Sequence, residues 1–292
     1  MIDKPVKHQP VLLTKVLEFL KVKPGENYLD CTLGSAGHSL EIAKLGGHLY
    51  GLDIDPKALK RAKTKLKSHA PKGSFHLTKA NFNQIKAVAD KFGITTLAGI
   101  LMDLGLSSEQ LADINRGFSF NLDSPLDMRA NPDYQVTAAD LVNGLNKGEL
   151  YELFQKLGQE QHSLSIAKAI ISSRLTSPII TTKQLAQVVL SVKKRRSKIH
   201  PATQVFQALR IAVNDELNNL RSVLPQAVEL LKPSGRLVVI SFHSLEDKIV
   251  KNFIKSHSQL KNLTPKPITP SQEEMTKNPR SRSAKLRCAQ KI

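Results

Sequence analysis

The sequence predicts an α/β chain: a mainly parallel sheet carrying helices on both faces, interrupted by a helical insertion. Three observations predict it. Through the first half, short apolar runs alternate with amphipathic stretches, the pattern of consecutive βα units. From Thr137 to about Lys194 the chain reads as helix after helix, without a strong strand signal. Past His200-Pro201 the α/β pattern resumes, and a tail rich in Pro, Ser and Lys follows from about Leu260.

The elements follow in order. Val11–Leu20 reads as a helix, and Tyr28–Cys31 as a short buried strand entered through Pro24-Gly25. Ser39–Leu45 is a helix stopped by Gly46-Gly47. His48–Leu52 is a second strand, followed by Asp53 and Asp55. Pro56–Lys67 is a helix with proline in its first turn, where a missing N–H costs nothing, and lysines on its outer face. Ser74–Thr78 is a third strand and Leu97–Asp103 a fourth that ends on an acid. From Ser107 to Phe120 the chain is polar and turn-rich. Thr137-Ala-Ala-Asp140 has the form of a capping box, and Thr181–Thr182 caps the helix through Val189. A long helix is expected over Thr203–Leu220. The turn Leu231–Gly235 then leads into a strand, Arg236–Ser241. The resulting division is 1–110 with 204–292 as the sheet domain, and 111–203 as a mainly helical insert.

With 292 residues, 40% of them hydrophobic, the chain is long enough for one large domain carrying an insertion. No run of about 18 apolar residues occurs, and a charged N-terminus has no signal-like segment behind it, so a cytosolic protein is expected. The two cysteines, Cys31 and Cys288, have no metal-ligand spacing and are read as reduced thiols. The formal net charge is +18, from 43 basic and 25 acidic residues. Either a solvated basic surface or a polyanionic partner accounts for such a charge, and its clustering favours the partner. Lys193, Lys194, Arg195, Arg196 and Lys198 share one short stretch, and Lys277–Lys291 holds six basic residues and no acid. Such clusters neutralise phosphates and release counterions.

Asp30–His38 lies between a strand and a helix and contains Gly34 and Gly37. Glycines allow close backbone approach to a ligand, and a helix N-terminus adds N–H donors. This G-x-x-G is weaker than a full dinucleotide fingerprint. Asp53, at the end of the next strand, can accept both ribose hydroxyls of a nucleoside cofactor, in nicotinamide enzymes as elsewhere. Asp103 at the fourth strand's end, with the Leu231–Leu237 turn into the fifth, favours S-adenosyl-L-methionine and a Rossmann-like class I methyltransferase sheet.

Longer blocks carry a sharper signal. They are His8–Leu13, Asp30–Ser39, Asp103–Ser108, Arg116–Phe120, Ser124–Arg129, His200–Thr203, Val205–Leu217, Ile240–Lys248 and Asn278–Arg287. Through them the chain resembles, nearly end to end, the bacterial ribosomal RNA small-subunit methyltransferase H family. The resemblance implies S-adenosyl-L-methionine-dependent N4-methylation of a specific cytidine in the decoding region of 16S rRNA. The expected partner is that RNA within the small ribosomal subunit, with no membrane, and a homodimer as a further assembly. Ala36, Gly37, His38, Asp53, Phe82, Asp103 and Gln110 match the family's cofactor-binding positions. The chain departs from the family pattern at Ser35-Ala36, where a run of glycines is usual, and at Ala98-Gly99, where Asp-Gly is usual.

Two candidate catalytic groups emerge. Asp103 could accept a proton of the target amine or serve only the cofactor, and both roles stay open. His243, beside Phe242 after the fifth strand, could donate to a base or take its proton while Phe242 stacks on it. The alternative makes Phe242 core and His243 a satisfied polar neighbour. RNA contact is assigned to Lys193, Lys194, Arg195, Arg196, Lys198 and Phe242. Tail arginines Arg280, Arg282 and Arg287 either touch phosphates or dock on the protein itself. Asp127 and Arg129 are expected to pair internally, and Arg210 to be structural. A non-catalytic RNA-binding protein is disfavoured by retention of Asp53 and Asp103. A DNA amino-methyltransferase is disfavoured by the absence of an Asn-Pro-Pro-Tyr or Asp-Pro-Pro-Tyr motif.

Overall fold

The computed structural model describes residues 9–194 and 200–292. Two compact units result: one combines the described residues up to Gly105 with Leu217–Ile292, and the other is Leu106–Glu216.

The first unit is a seven-stranded sheet. It begins with α1 (Leu13–Leu20), β1 (Asn27–Asp30), α2 (Gly37–Lys44), β2 (His48–Asp53), α3 (Pro56–His69) and β3 (Phe75–Lys79). A 3-10 turn, Phe82–Gln84, leads to α4 (Ile85–Phe92) and β4 (Leu97–Asp103). The helical unit then holds α5 (Ser108–Ala112), α6 (Ala138–Gly144), α7 (Lys147–Gly158), α8 (Ser163–Thr176), α9 (Thr182–Val192) and α10 (Thr203–Asn214). The chain returns to the sheet unit through α11 (Glu216–Leu230), β5 (Leu231–Ser241), α12 (Ser244–Ser256), β6 (Leu260–Asn262), α13 (Gln272–Lys277) and β7 (Lys285–Lys291).

Strand order is β3-β2-β1-β4-β5-β7-β6. The first five strands pair in parallel, whereas β7 runs antiparallel between β5 and β6. Strand residues alternate between two apolar layers, as the two-residue side-chain period requires. Leu29, Leu52, Ile100, Met102 and Val239 pack with α4 and α11, while Tyr28, Leu49, Leu101 and Val238 face α1 to α3. Parallel strands buried on both faces explain why these runs read as almost unbroken hydrophobic sequence.

Four sequence expectations are corrected. The long helix breaks at Asp215, which takes a left-handed conformation (φ 49°) and ends α10. The return to the sheet unit falls at Leu217, so residues 204–216, read with the sheet domain, group with the helical unit. Strand β5 begins at Leu231, ahead of the expected Arg236, and the expected turn survives only as an irregularity at 232–235 between the Leu97–Leu231 and Gly99–Arg236 pairs. The Lys-rich tail ends in a buried strand, with Leu286 and Cys288 fully inside. Within it Arg287 pairs with Asp247 at 2.6 Å, so this arginine is spent internally. Arg280 and Arg282 are exposed.

In the helical unit, Phe154, Ile166, Leu185, Val205 and Leu209 form an apolar centre. The Thr137 and Thr181 capping boxes are both present. Asp127 and Arg129 pair at 2.8 Å, and Arg210 pairs with Glu216 at 2.9 Å. Both cysteines are free and buried, and no described helix is long and apolar enough to cross a membrane.

Candidate cofactor and active site

Three adjacent parallel strands each end on an aspartate: β2 on Asp53, β1 on Asp30 and β4 on Asp103. The loop from β1 to α2 is built around them. Asp30 accepts from Ser39 Oγ at 2.6 Å and from Thr32 N at 3.1 Å. Thr32 Oγ1 in turn accepts from Asp103 N at 2.6 Å, tying the loop to the end of β4. Asp53 accepts from Gly34 N and Asp55 N, both at 2.8 Å, one on each carboxylate oxygen. Each oxygen keeps a second lone pair for another donor.

Ala36 is the N-cap of α2, fully buried and left-handed (φ 55°). A left-handed non-glycine residue costs roughly 1–2 kcal/mol, so the Ser35-Ala36 departure is tolerated at the expense of local strain. Gly37 is constrained for another reason: a Cβ there would lie 2.5 Å from Pro10 Cγ. His38 is buried, with Nε2 2.9 Å from Val11 O and Nδ1 3.6 Å from Asp103 Oδ2. The Pro10-Val11 segment thus seals one side of the loop, giving the N-terminal sequence block a physical purpose.

The carboxylates crowd one another. Burial pushes Asp53 up to about 6, and its neighbours Asp55 and Asp30 add to the rise. Asp103 is held well above the ordinary carboxylate range by burial, then by the charges of Asp30 and Glu246. Its Oδ1 is buried and has no hydrogen-bond partner among the described residues. A concentration of uncompensated negative charge suits a ligand carrying positive charge.

Other predicted site residues have varied placements. Phe82 opens the 3-10 turn after β3, half-buried against the core, and Ala80 N donates to Asp53 O nearby in the chain. Phe242 is half-buried, with Cδ2 3.5 Å from where a Cβ on Gly105 would stand, just past Asp103. His243 caps α12: its Nδ1 accepts from Glu246 N, and its Nε2 lies 3.2 Å from Glu246 Oε1. Gln110 belongs to the helical unit, where its Oε1 accepts from Ser107 N in a capping box. Lys193 is held at 2.7 Å by Glu160, whose side chain is fully buried, so its charge serves the fold. Lys194 is exposed, and Arg195, Arg196 and Lys198 lie outside the described residues. Sequence reasoning missed Asp30 and Thr32 as anchors and Glu246 as a charge behind Asp103. Asp30 shared the strand-end signal of Asp53 and Asp103, but nothing local marked Glu246.

A doubly covered parallel sheet with a reversed seventh strand, and an acid-lined loop at its carboxyl edge, define a Rossmann-like class I methyltransferase. The family model of the MraW methylase family matches residues 5–292, and the chain belongs to that family. The ribosomal RNA small subunit methyltransferase H of Thermomicrobium roseum is 47% identical, covering 98% of this chain and 94% of that one. Its namesake from Heliobacterium mobile is 45% identical, covering 98% and 99%. Among solved structures, a putative rRNA-methylase from Clostridium thermocellum aligns with a TM-score of 0.49 at 15% identity, over 97% of this chain and 98% of that one. The methyl donor of this methylase is S-adenosyl-L-methionine. The site fits that ligand chemically: acids for ribose hydroxyls and cationic groups, a close-approach loop, and one buried acceptor atom left unused.

Cofactor binding has an expected pH profile. The proposed ribose role of Asp53 requires an ionised carboxylate for the hydroxyls to donate to. Its carboxyl titrates near 6 in the folded protein instead of 3.8, so the folded state takes up that proton first. Asp53's contribution to stability is therefore present at low pH and lost as pH rises through about 6, whereas ligand affinity runs the other way. Affinity for S-adenosylhomocysteine, measured by calorimetry, is expected to be flat above pH 7. It should weaken by up to about tenfold per pH unit below 6, the slope of one linked proton. A flat profile down to pH 5 would remove Asp53 from the ribose role.

Proposed function

We propose that this chain methylates N4 of a cytidine in the decoding region of 16S rRNA, with the RNA presented in the small ribosomal subunit. The supporting observation is the carboxylate edge, and above all Asp103 with a buried oxygen that has no hydrogen-bond partner among the described residues. The substrate assignment draws on relatives that carry the ribosomal RNA methyltransferase name.

The exocyclic amine of cytosine is a weak nucleophile because its lone pair is delocalised into the ring. S-adenosyl-L-methionine, when bound, supplies a methyl group on a cationic sulfur. Asp53 holds the ribose, Ala36 to His38 let the backbone approach, and Phe82 covers the adenine. Asp103 Oδ1 accepts an N4 proton, directing nitrogen density outward, and takes that proton as the new N–C bond forms and the methyl–sulfur bond breaks, the donor leaving as the neutral thioether S-adenosylhomocysteine. A carboxylate with a raised pKa is a stronger base than an exposed one, which suits proton removal from an amine. Thr32 and His38 fix Asp103 from the loop side. Phe242 stacks on a base extruded from its helix, and His243, 3.2 Å from Glu246 Oε1, positions the turn carrying Phe242. The helical unit serves substrate recognition.

Cells lacking this protein test the reading. Mass spectrometry of their 16S rRNA should show loss of one N4-methylcytidine, restored by the intact gene. An unchanged N4-methylcytidine signal would defeat it.

A further inference from the structure

Helix α3 carries Lys57, Lys60, Arg61, Lys63, Lys65 and Lys67 within 14 residues and no carboxylate. Other surface helices of the sheet unit mix their charges: Lys15 pairs with Glu18 on α1, Lys44 with Glu41 on α2, and Lys277 with Glu273 on α13. On α3, Lys57, Lys60, Lys63 and Lys67 are exposed. Lys60, Lys63 and Lys67 form no ion pair with any described residue.

Helix stability accounts for only the ends of this composition: Asp55 caps the N-terminus, and Lys67 lies in the last turn, where a cation suits the helix dipole. Residues three and four apart on a helix are neighbours. Lys57 therefore faces Lys60 and Arg61, Lys63 faces Lys60 and Lys67, and Arg61 faces Lys65, all repulsively. The first turn holds a cation and no acid, opposing the positive end of the helix dipole. By contrast α7, α11 and α12 place Glu149, Glu216, Glu246 and Asp247 in their first turns. The inner face of α3, Ala58, Ala62 and Leu66, is buried and fixes the helix to the sheet. The lysine face is thus presented outward on a rigid element, over roughly 10 Å from Lys60 to Lys67 at 1.5 Å per residue. Its N-cap, Asp55, stands two residues beyond Asp53, so the lysine row begins beside the carboxylate edge.

We propose that the outer face of α3 is a contact rail for the RNA phosphate backbone, carrying the RNA footprint onto the sheet unit. The proposal rests on the RNA reading above. Lysines are compact point charges and offer no planar readout of bases, so the rail contributes affinity and not sequence choice.

The test uses the full-length triple variant Lys60→Gln/Lys63→Gln/Lys67→Gln. Its control is Lys251→Gln/Lys255→Gln/Lys261→Gln, which removes the same charge elsewhere on the sheet unit. Binding of a 16S rRNA transcript is measured across a salt series, with methylation kinetics and S-adenosylhomocysteine affinity on the same preparations. The α3 variant should bind RNA at least tenfold more weakly. Its slope of log affinity against log salt should be smaller by about two, as loss of three phosphate contacts implies. KM for RNA should rise while the turnover at saturation, the S-adenosylhomocysteine affinity and the melting temperature hold. If the α3 variant matches the control triple in affinity and slope while wild type binds and methylates the RNA, the rail is wrong and the RNA reading stands. If wild type neither binds nor methylates RNA, both fall. Retained RNA binding with lost binding to phosphatidylserine vesicles would overturn the RNA assignment of α3 in favour of a membrane surface.

Discussion

Asp103→Asn is expected to lower the turnover rate by about 10²- to 10⁴-fold at saturating cofactor and RNA, the usual range for a lost proton acceptor. Affinity for S-adenosylhomocysteine, which lacks the sulfonium charge, should change only a few-fold. Asparagine preserves shape and one acceptor oxygen, so the loop held by Thr32 Oγ1 on Asp103 N should persist. The substitution also relieves a carboxylate that burial and the charges of Asp30 and Glu246 disfavour. A carboxyl with a raised folded pKa stabilises the fold at low pH and loses that contribution as pH rises. The variant's melting temperature should therefore exceed wild type's in alkaline buffer, with the gain shrinking on acidification. A variant that loses cofactor affinity but keeps its saturated turnover would assign Asp103 to cofactor binding alone.

Removing the last eight residues, from Lys285, is expected to abolish cooperative folding. Strand β7 is the bridge between β5 and β6, with six residue pairs on one side and three on the other. Leu286, Cys288 and Ala289 are fully buried, and the loss of Leu286 alone forfeits about 1.5–3 kcal/mol. Asp247 would lose Arg287, its partner at 2.6 Å, where the two side chains are only 13% and 5% exposed. Breaking a buried pair from one side costs about 3–5 kcal/mol. These losses together approach the whole stability of a typical domain, about 5–15 kcal/mol. Circular dichroism melting should show no cooperative transition. If the shortened chain melts like wild type, the tail is an appendage after all.

Much of the sheet was legible because parallel strands covered on both faces are near-continuous apolar runs. Leu97–Asp103 is such a run, and its bounds coincide with β4. The tail concealed its strand because Arg287 interrupts the apolar residues, and only the tertiary fold supplies Asp247 to neutralise it. The break at Asp215 was hidden for a similar reason. Asn214 and Asp215 do not interrupt the helical pattern, but Asn214 accepts from Ala130 N and donates to Met128 O, partners more than 80 residues away in sequence. At the site, strand-end acids could be read directly, since a polar residue closing an apolar strand has few structural reasons to be there. The capping roles of His243 and Gln110 could not, because each depends on where a helix begins.

Purified protein, labelled S-adenosyl-L-methionine and small ribosomal subunits lacking the modification give the most direct test of the central claim. Nuclease digestion and mass spectrometry of the labelled RNA should recover one N4-methylcytidine, from the decoding region, formed by wild type and not by the Asp103→Asn variant. Label on a ribose oxygen or a ring carbon, or no transfer by protein that binds S-adenosylhomocysteine, would contradict it.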